Sequence, residues 1–275
     1  TFICLLKGCK NIEDLDEGRI LHAYILELGF EADIHVSNSA ISMYIKCECL
    51  QDSHNVFDRM LRRDVVTWTE LIGGYAQFGY SKPSLELYMK MRQENIEPNH
   101  ITFSFMLKTV GRSGSIEEGL LIHSHIIESG CESVPSVSNS LISMYARCVG
   151  MVDACRMFQR ITDPDVVSWT GLLCTYVEQG YGEKAFKLYR QMQAEGVNTN
   201  EATCVIVLQS CSLLFVEAQS AVNKGILNKD MCLEFVQALH AEARRKGIAS
   251  NIIVGNSLLS LYGKFGAISD VENVF

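Results

Sequence analysis

The chain has 275 residues, 48% of them hydrophobic, only 4 Pro, a formal net charge of −8 and a pI of about 5.4. The apolar share excludes a disordered tail, no stretch is long and uncharged enough to span a membrane, and the acidic balance counts against strong non-specific nucleic-acid binding. The 11 Cys are odd in number and sit mostly in apolar helical contexts, so they read as reduced small hydrophobes of an intracellular protein.

Taken in chain order, the elements repeat. Residues 1–33 form a unit lacking its first two residues, and 34–64 a short unit of 31. Units 65–99 and 100–134 have 35 residues each, 135–165 has 31 and 166–200 has 35. The next unit, 201–251, has 51 residues, with a surplus placed near 215–232, and 252–275 begins another short unit. VVTWTELIGGYAQFG (from Val65) returns 101 residues later as VVSWTGLLCTYVEQG (from Val166). NSAISMYIKC (from Asn38) returns as NSLISMYARC (from Asn139) and NSLLSLYGKF (from Asn256).

Each unit reads as two helices. In 65–99, Val66, Leu71, Ile72 and Tyr75 fall at near-helical spacing, Gly79 breaks the pattern, and Leu85, Leu87, Tyr88 and Met91 resume it. Pro83 falls in the first turn of the second helix, where its missing N–H costs little, and Glu97-Pro98-Asn99 closes the unit as a turn. Neither helix can bury its apolar stripe alone, so neighbouring hairpins must stack. The expected fold is all-α, a right-handed α-solenoid forming one domain over residues 1–275, whose function is binding along a row of equivalent positions. The surplus near 215–232 reads as a tolerated loop insertion, with a functional lid or a gene-model artefact as alternatives. The chain starts and stops inside repeats and is expected to be a fragment of a longer tract.

These units resemble the pentatricopeptide repeat. Val65 to Asn99 is similar to its standard P-type unit, TFSFMLKTVGRSGSIEEGLLIHSHIIESG (from Thr102) to the long L type, and VSNSLISMYARCVGMVDACRMFQRITDPD (from Val137) to the short S type. The order L-S-P-L-S-P-L-S resembles the PLS subclass of plant organellar RNA-binding proteins. The resemblance implies single-stranded organellar RNA as partner, read one base per repeat, in the mitochondrion or chloroplast. It also implies other editing or processing factors as further partners, and a role as the specificity tract of an RNA-processing or C-to-U editing factor. No cofactor, membrane or small-molecule substrate is implied, and the extension and deaminase-like domains of such proteins are not in this sequence.

In the family the fifth residue of each unit reads the base together with the last residue. Here the fifth residues of S and P units are Asn38, Thr69, Asn139, Thr170 and Asn256, and the last residues are Asp64, Asn99, Asp165 and Asn200. Their amides and hydroxyls can match a Watson–Crick edge; alternatively, Asn and Thr near a helix start are simply caps. The family's rules imply uracil for Asn38 with Asp64 and for Asn139 with Asp165, and adenine for Thr69 with Asn99 and for Thr170 with Asn200. The L units depart from the rules, pairing Ile3 with Asp33, Ser104 with Val134 and Val205 with Asn251, and are expected to space rather than specify. The second residue is expected to sandwich adjacent bases. Val66, Ile101, Val167 and Ile253 fit that role, whereas His35 and Ser136 depart from it.

No catalytic or metal constellation is expected. His240-Ala241-Glu242 matches half of the zinc-deaminase signature, but no Pro precedes a Cys, and His22 and His123 fill the same place in the other L units. Cys47 and Cys49 have no second cluster at zinc-finger spacing. The Gly-containing stretches around Gly111 and Gly180 are expected to be turns. The alternative function is a peptide-binding helical scaffold of the tetratricopeptide kind, which the acidic charge favours and the unit order does not.

Overall fold

The structure, a computed structural model, describes residues 2–9, 11–220, 229–267 and 270. Among the described residues every regular element is a helix. The chain divides into two compact units, Thr1–Cys148 and Val149–Phe275.

The first unit holds α1 (Phe2–Gly8), α2 (Leu15–Glu27), α3 (Ile34–Lys46), α4 (Leu50–Arg59), α5 (Val65–Gln77), α6 (Ser81–Gln93), α7 (His100–Ser113), α8 (Ile116–Glu128) and α9 (Pro135–Cys148). The first helices of successive hairpins lie side by side, α1 on α3, α3 on α5, α5 on α7 and α7 on α9. Each second helix packs against its own first helix and against the first helix of the next hairpin. This is the stacked-hairpin arrangement of an α-solenoid. Absent side chains permit close approaches, as at Gly73, where a Cβ would meet the Phe105 ring at 2.6 Å, and at two repeat-equivalent glycines. A Cβ at Gly18 would meet Met43 Sδ at 2.5 Å, and one at Gly119 would meet Met144 Sδ at 2.8 Å.

The second unit repeats the pattern with α10 (Met151–Gln159), α11 (Val166–Glu178), α12 (Gly182–Ala194), α13 (Glu201–Ser220), α14 (Lys229–Arg245) and α15 (Ile252–Phe265). Here α11 packs on α13 and α13 on α15. The expected surplus near 215–232 is helical where it is described: α13 has 20 residues against 14 in α7, and α14 has 17 against 13 in α8. Residues 221–228 of that surplus lie outside the described residues.

The turns follow the sequence chemistry. Gly79 and Gly180 adopt φ of 82° and 76°, which L-residues with a Cβ rarely reach. Gly111, expected in a turn, lies inside α7, and the turn falls on Gly114, with φ of 74°.

The core is built from repeat-equivalent side chains. Trp68 and Trp169 are 0% and 1% exposed. They stand edge-on to Phe57 and Phe158, with ring centroids 4.7 and 4.9 Å apart. Successive hairpins are further joined by polar rungs, buried at Tyr88–His125 and His240–Tyr262 and half-buried at the others. His22 Nδ1 lies 2.9 Å from the Tyr44 hydroxyl, His54 Nδ1 3.0 Å from Tyr75, His123 Nδ1 2.7 Å from Tyr145 and His240 Nδ1 3.1 Å from Tyr262. Cys155 takes the imidazole's place opposite Tyr176, at 2.9 Å, and Tyr88 bonds His125 Nδ1 at 2.8 Å. Burial, ahead of nearby charges, pushes the Tyr44, Tyr88 and Tyr262 hydroxyls up to about 12. It also holds His22, His125 and His240 below the ordinary imidazole value. His240 is therefore one rung among several. Glu242 beside it accepts from Thr199 at 3.1 Å and pairs with Lys246 at 2.6 Å.

Candidate nucleic-acid interface

Apart from α9, which follows Val134, the first helices from α3 onward begin on polar caps, and those caps are the last residues of the expected units. Asp33, Asp64, Asn99, Asp165 and Asn251 each accept a backbone N–H from the first turn of the helix that follows. The fifth residues lie inside the helices, more than one turn from the start, so they are not caps.

Asn38 and Asp64 come together. Asn38 Nδ2 donates to Asp64 Oδ1 at 3.3 Å, while Asn38 Oδ1 accepts from the Thr67 hydroxyl at 2.7 Å. Burial works to raise the Asp64 carboxyl. The Thr67 amide and hydroxyl and the Asn38 amide outweigh it and hold the carboxyl below the usual value.

Thr69 and Asn99 are joined through a third residue. Thr69 Oγ1 lies 2.6 Å from Thr102 Oγ1, which donates to Asn99 Oδ1 at 3.1 Å. The second unit repeats this: Thr170 Oγ1 is 2.8 Å from Thr203 Oγ1, which donates to Asn200 Oδ1 at 2.8 Å. Asn139 sits on α9 with a buried Oδ1 that has no partner among the described residues. Asp165 caps α11, accepting the Ser168 amide and hydroxyl, each at 2.9 Å. Asn256 is exposed on α15.

The expected stacking residues are apolar side chains left in the open. Val66 and Ile101 are each 47% exposed, Val167 50% and Ile253 63%. Val66 is thus not part of the core stripe that its helical spacing had also placed it in. An open groove of about 480 Å³ runs past Asn38, Asp64, His35 and Val66, with Lys7 and Lys46 also lining it. Among the described residues no group of three or more His, Cys, Asp or Glu is placed to hold a metal ion. Cys47 is buried, and the Cys49 thiol donates to Asp52 at 3.1 Å.

Sequence reasoning missed Thr67, Thr102, Ser168 and Thr203. Each is the third residue of its first helix, fully or almost fully buried. The signal was present in the triplets VVT, HIT, VVS and EAT at the helix starts.

Comparison with known proteins agrees with this geometry. A sequence profile described as the PPR repeat family matches residues 63–112 and 164–212, and one described as PPR repeat matches 36–65. The chloroplastic pentatricopeptide repeat-containing protein At1g15510 of Arabidopsis thaliana is 32% identical over all 275 residues, which span 30% of that relative. The mitochondrial At3g09040 of the same plant is 30% identical over the whole chain, which spans 25% of it. The crystal structure of PPR10 from maize superposes with a TM-score of 0.58 at 20% identity, covering 94% of this chain and 40% of PPR10. PPR10 in complex with an 18-nucleotide psaJ RNA element gives 0.57 at 21% identity, covering 93% and 41%. With its unit pattern, its stacked hairpins and these matches, the chain belongs to the pentatricopeptide repeat family.

Proposed function

We propose that this segment binds single-stranded RNA sequence-selectively, as the specificity tract of an organellar RNA-processing or C-to-U editing factor of the PLS subclass. The observation that carries the reading is the row of fifth residues. Each of Asn38, Thr69 and Thr170 is tied by hydrogen bonds to the last residue of its own unit. Exposed Val66 and Val167 hold the second position in the units of Thr69 and Thr170, and Val66 of the following unit lines the groove with Asn38, whose own second residue is His35. Polar edges for base recognition and apolar faces for stacking are what single-stranded readout requires. Lys7 and Lys46 line the same groove and supply cations for the phosphate backbone. The RNA held by PPR10 and the chloroplastic and mitochondrial names of relatives support an organellar RNA as partner.

Read 5′ to 3′ from the N-terminus, the target is N-U-A-N-U-A-N-pyrimidine. Affinity for that RNA, compared with RNAs altered at the second and third bases, tests the reading, and it should fall with rising salt as counterions are released. Equal affinity for all of them, or saturable binding of an extended peptide instead, would favour the scaffold alternative to which the net charge of −8 points.

A further inference from the structure

Seven first helices follow a complete or nearly complete unit, and they differ at their third residue. Four carry a hydroxyl there, Thr67, Thr102, Ser168 and Thr203, while α3, α9 and α15 carry Val36, Val137 and Val254. A hydroxyl is not needed to start the helix. Asp33 and Asn251 cap α3 and α15 by accepting the His35 and Ile253 amides, at 2.8 and 2.9 Å, with only Val at the third place. Depth does not explain the choice either: Thr67, Thr102, Thr203, Val137 and Val254 are all 0% exposed.

The distribution follows the fifth residue of the preceding unit. Hydroxyls occur after Asn38, Thr69, Asn139 and Thr170, and valines after Ile3, Ser104 and Val205. Ser104 turns back on its own helix, donating to the His100 carbonyl at 2.8 Å.

We infer that Thr67, Thr102 and Thr203 are positioning residues for base choice, each fixing the fifth side chain and coupling it to the last residue of the unit. The inference rests on the base-reading function proposed above. At Asn38 the Thr67 hydroxyl shares its one hydrogen between Oδ1, at 2.7 Å, and the Asp64 carboxylate, at 2.9 Å, while Asp64 takes Nδ2. A flipped amide would set its oxygen against that carboxylate, so its two edges keep their places in the groove. At Thr69 no bond runs directly to Asn99, and Thr102 is the link, at 2.6 and 3.1 Å. A hydroxyl has one hydrogen. Its bond to Thr102 therefore decides whether Thr69 offers a hydrogen or a lone pair to a base. Thr170, Thr203 and Asn200 repeat the relay at 2.8 and 2.8 Å. Thr102 and Thr203 are buried and do not meet the base themselves. They pass the identity of the last residue to the side chain that does.

The test uses the 275-residue chain with Thr102→Val and Thr102→Ser, measuring melting and affinity for RNAs that differ only at the third base. Thr102→Val is expected to lose about tenfold of third-base discrimination, the scale of one hydrogen bond. Discrimination at the second base, read by Asn38, should stay, and Thr102→Ser should keep the wild-type preference at both. A folded Thr102→Val with unchanged third-base discrimination overturns the inference. So does an equal loss in Thr102→Ser, or a loss spread over both bases. Thr203→Val, assayed at the sixth base, repeats the test in the second unit should Thr102→Val fail to fold. A wild-type chain without base preference overturns the base-reading function itself, and the inference with it; that result is distinct from a preference that survives the substitution.

Discussion

Two sets of polar side chains recur along this chain, and what each faces, not depth, gives them different work: Asn38 and Thr69, 8% and 6% exposed, are as buried as His125, at 9%. One turn inside the first helices, Asn38, Thr69 and Thr170 are tied to the caps, near exposed Val and Ile residues. Between hairpins, the Tyr–His rungs such as Tyr88 with His125 lie among packed side chains. A buried polar pair that satisfies itself specifies how neighbours dock, whereas a polar edge beside a groove is available to a partner. The two sets share a backbone but few contacts, so each should be alterable without the other.

The largest effect breaks the holding side. Trp68→Ala removes a fully buried ring set edge-on to Phe57 and should cost about 3–5 kcal/mol in urea unfolding. The Trp68 indole N–H has no partner among the described residues, so Trp68→Phe, which gives up no hydrogen bond, should cost much less.

Next comes a change on the reading side alone. Thr69→Asn with Asn99→Asp converts a P unit to the pairing of Asn38 with Asp64. It should move third-base preference from adenine to uracil by about 1–3 kcal/mol, by analogy with bidentate base contacts, while the urea midpoint shifts little. An adenine preference kept by the folded double variant would refute the division.

Tyr88→Phe sharpens it from the other direction. Deleting the 2.8 Å bond to His125 should cost about 1 kcal/mol of stability and leave base preferences as they were. The smallest effect is in pH. Burial first, and then Arg59, Arg92 and Arg244 respectively, hold His22, His125 and His240 below the ordinary imidazole value. A depressed folded value favours the neutral ring. That contribution is complete above the unfolded value near 6.5 and is lost as pH falls through the folded value. The melting temperature should therefore drop from pH 7 toward pH 5, and the drop should be shallower in His125→Gln.

The helices were legible because apolar spacing, which marks a helix such as α5, is local. The capping role of Asp64 and Asn99 was not, because the pairing with the fifth residue accounts for the same polar side chains. The exposure of the apolar second residues has a local signal too, Val66 and Val167 recurring in both P units; their stacking role belongs to the proposed function. The relay hydroxyls were not legible. A Thr three residues after Asn99 looks like half of a capping box, and it is one. Its second bond, to Thr69 across 33 residues, exists only because α5 and α7 lie side by side. The rungs escaped for the same reason: His22 and Tyr44 are 22 residues apart and meet across a hairpin boundary. At the described ends of the surplus near 215–232 the helices α13 and α14 are lengthened, which period alone does not reveal; residues 221–228 lie outside the described residues.

Gly18 and Gly119 occupy the same place one full repeat apart, and each lets a methionine of the next hairpin, Met43 or Met144, approach to within contact of a bare backbone. Such a missing side chain acts as a ruler. A single added methyl would force the methionine tip aside, and only where that tip has no other place to pack would the step from α2 to α3 or from α8 to α9 widen. If each hairpin advances by one nucleotide, that step must match the spacing of bases along the strand. An error of a few tenths of an ångström would be carried forward by every later unit. Under the proposed function, two glycines far from any base would help set the gauge against which an RNA is measured.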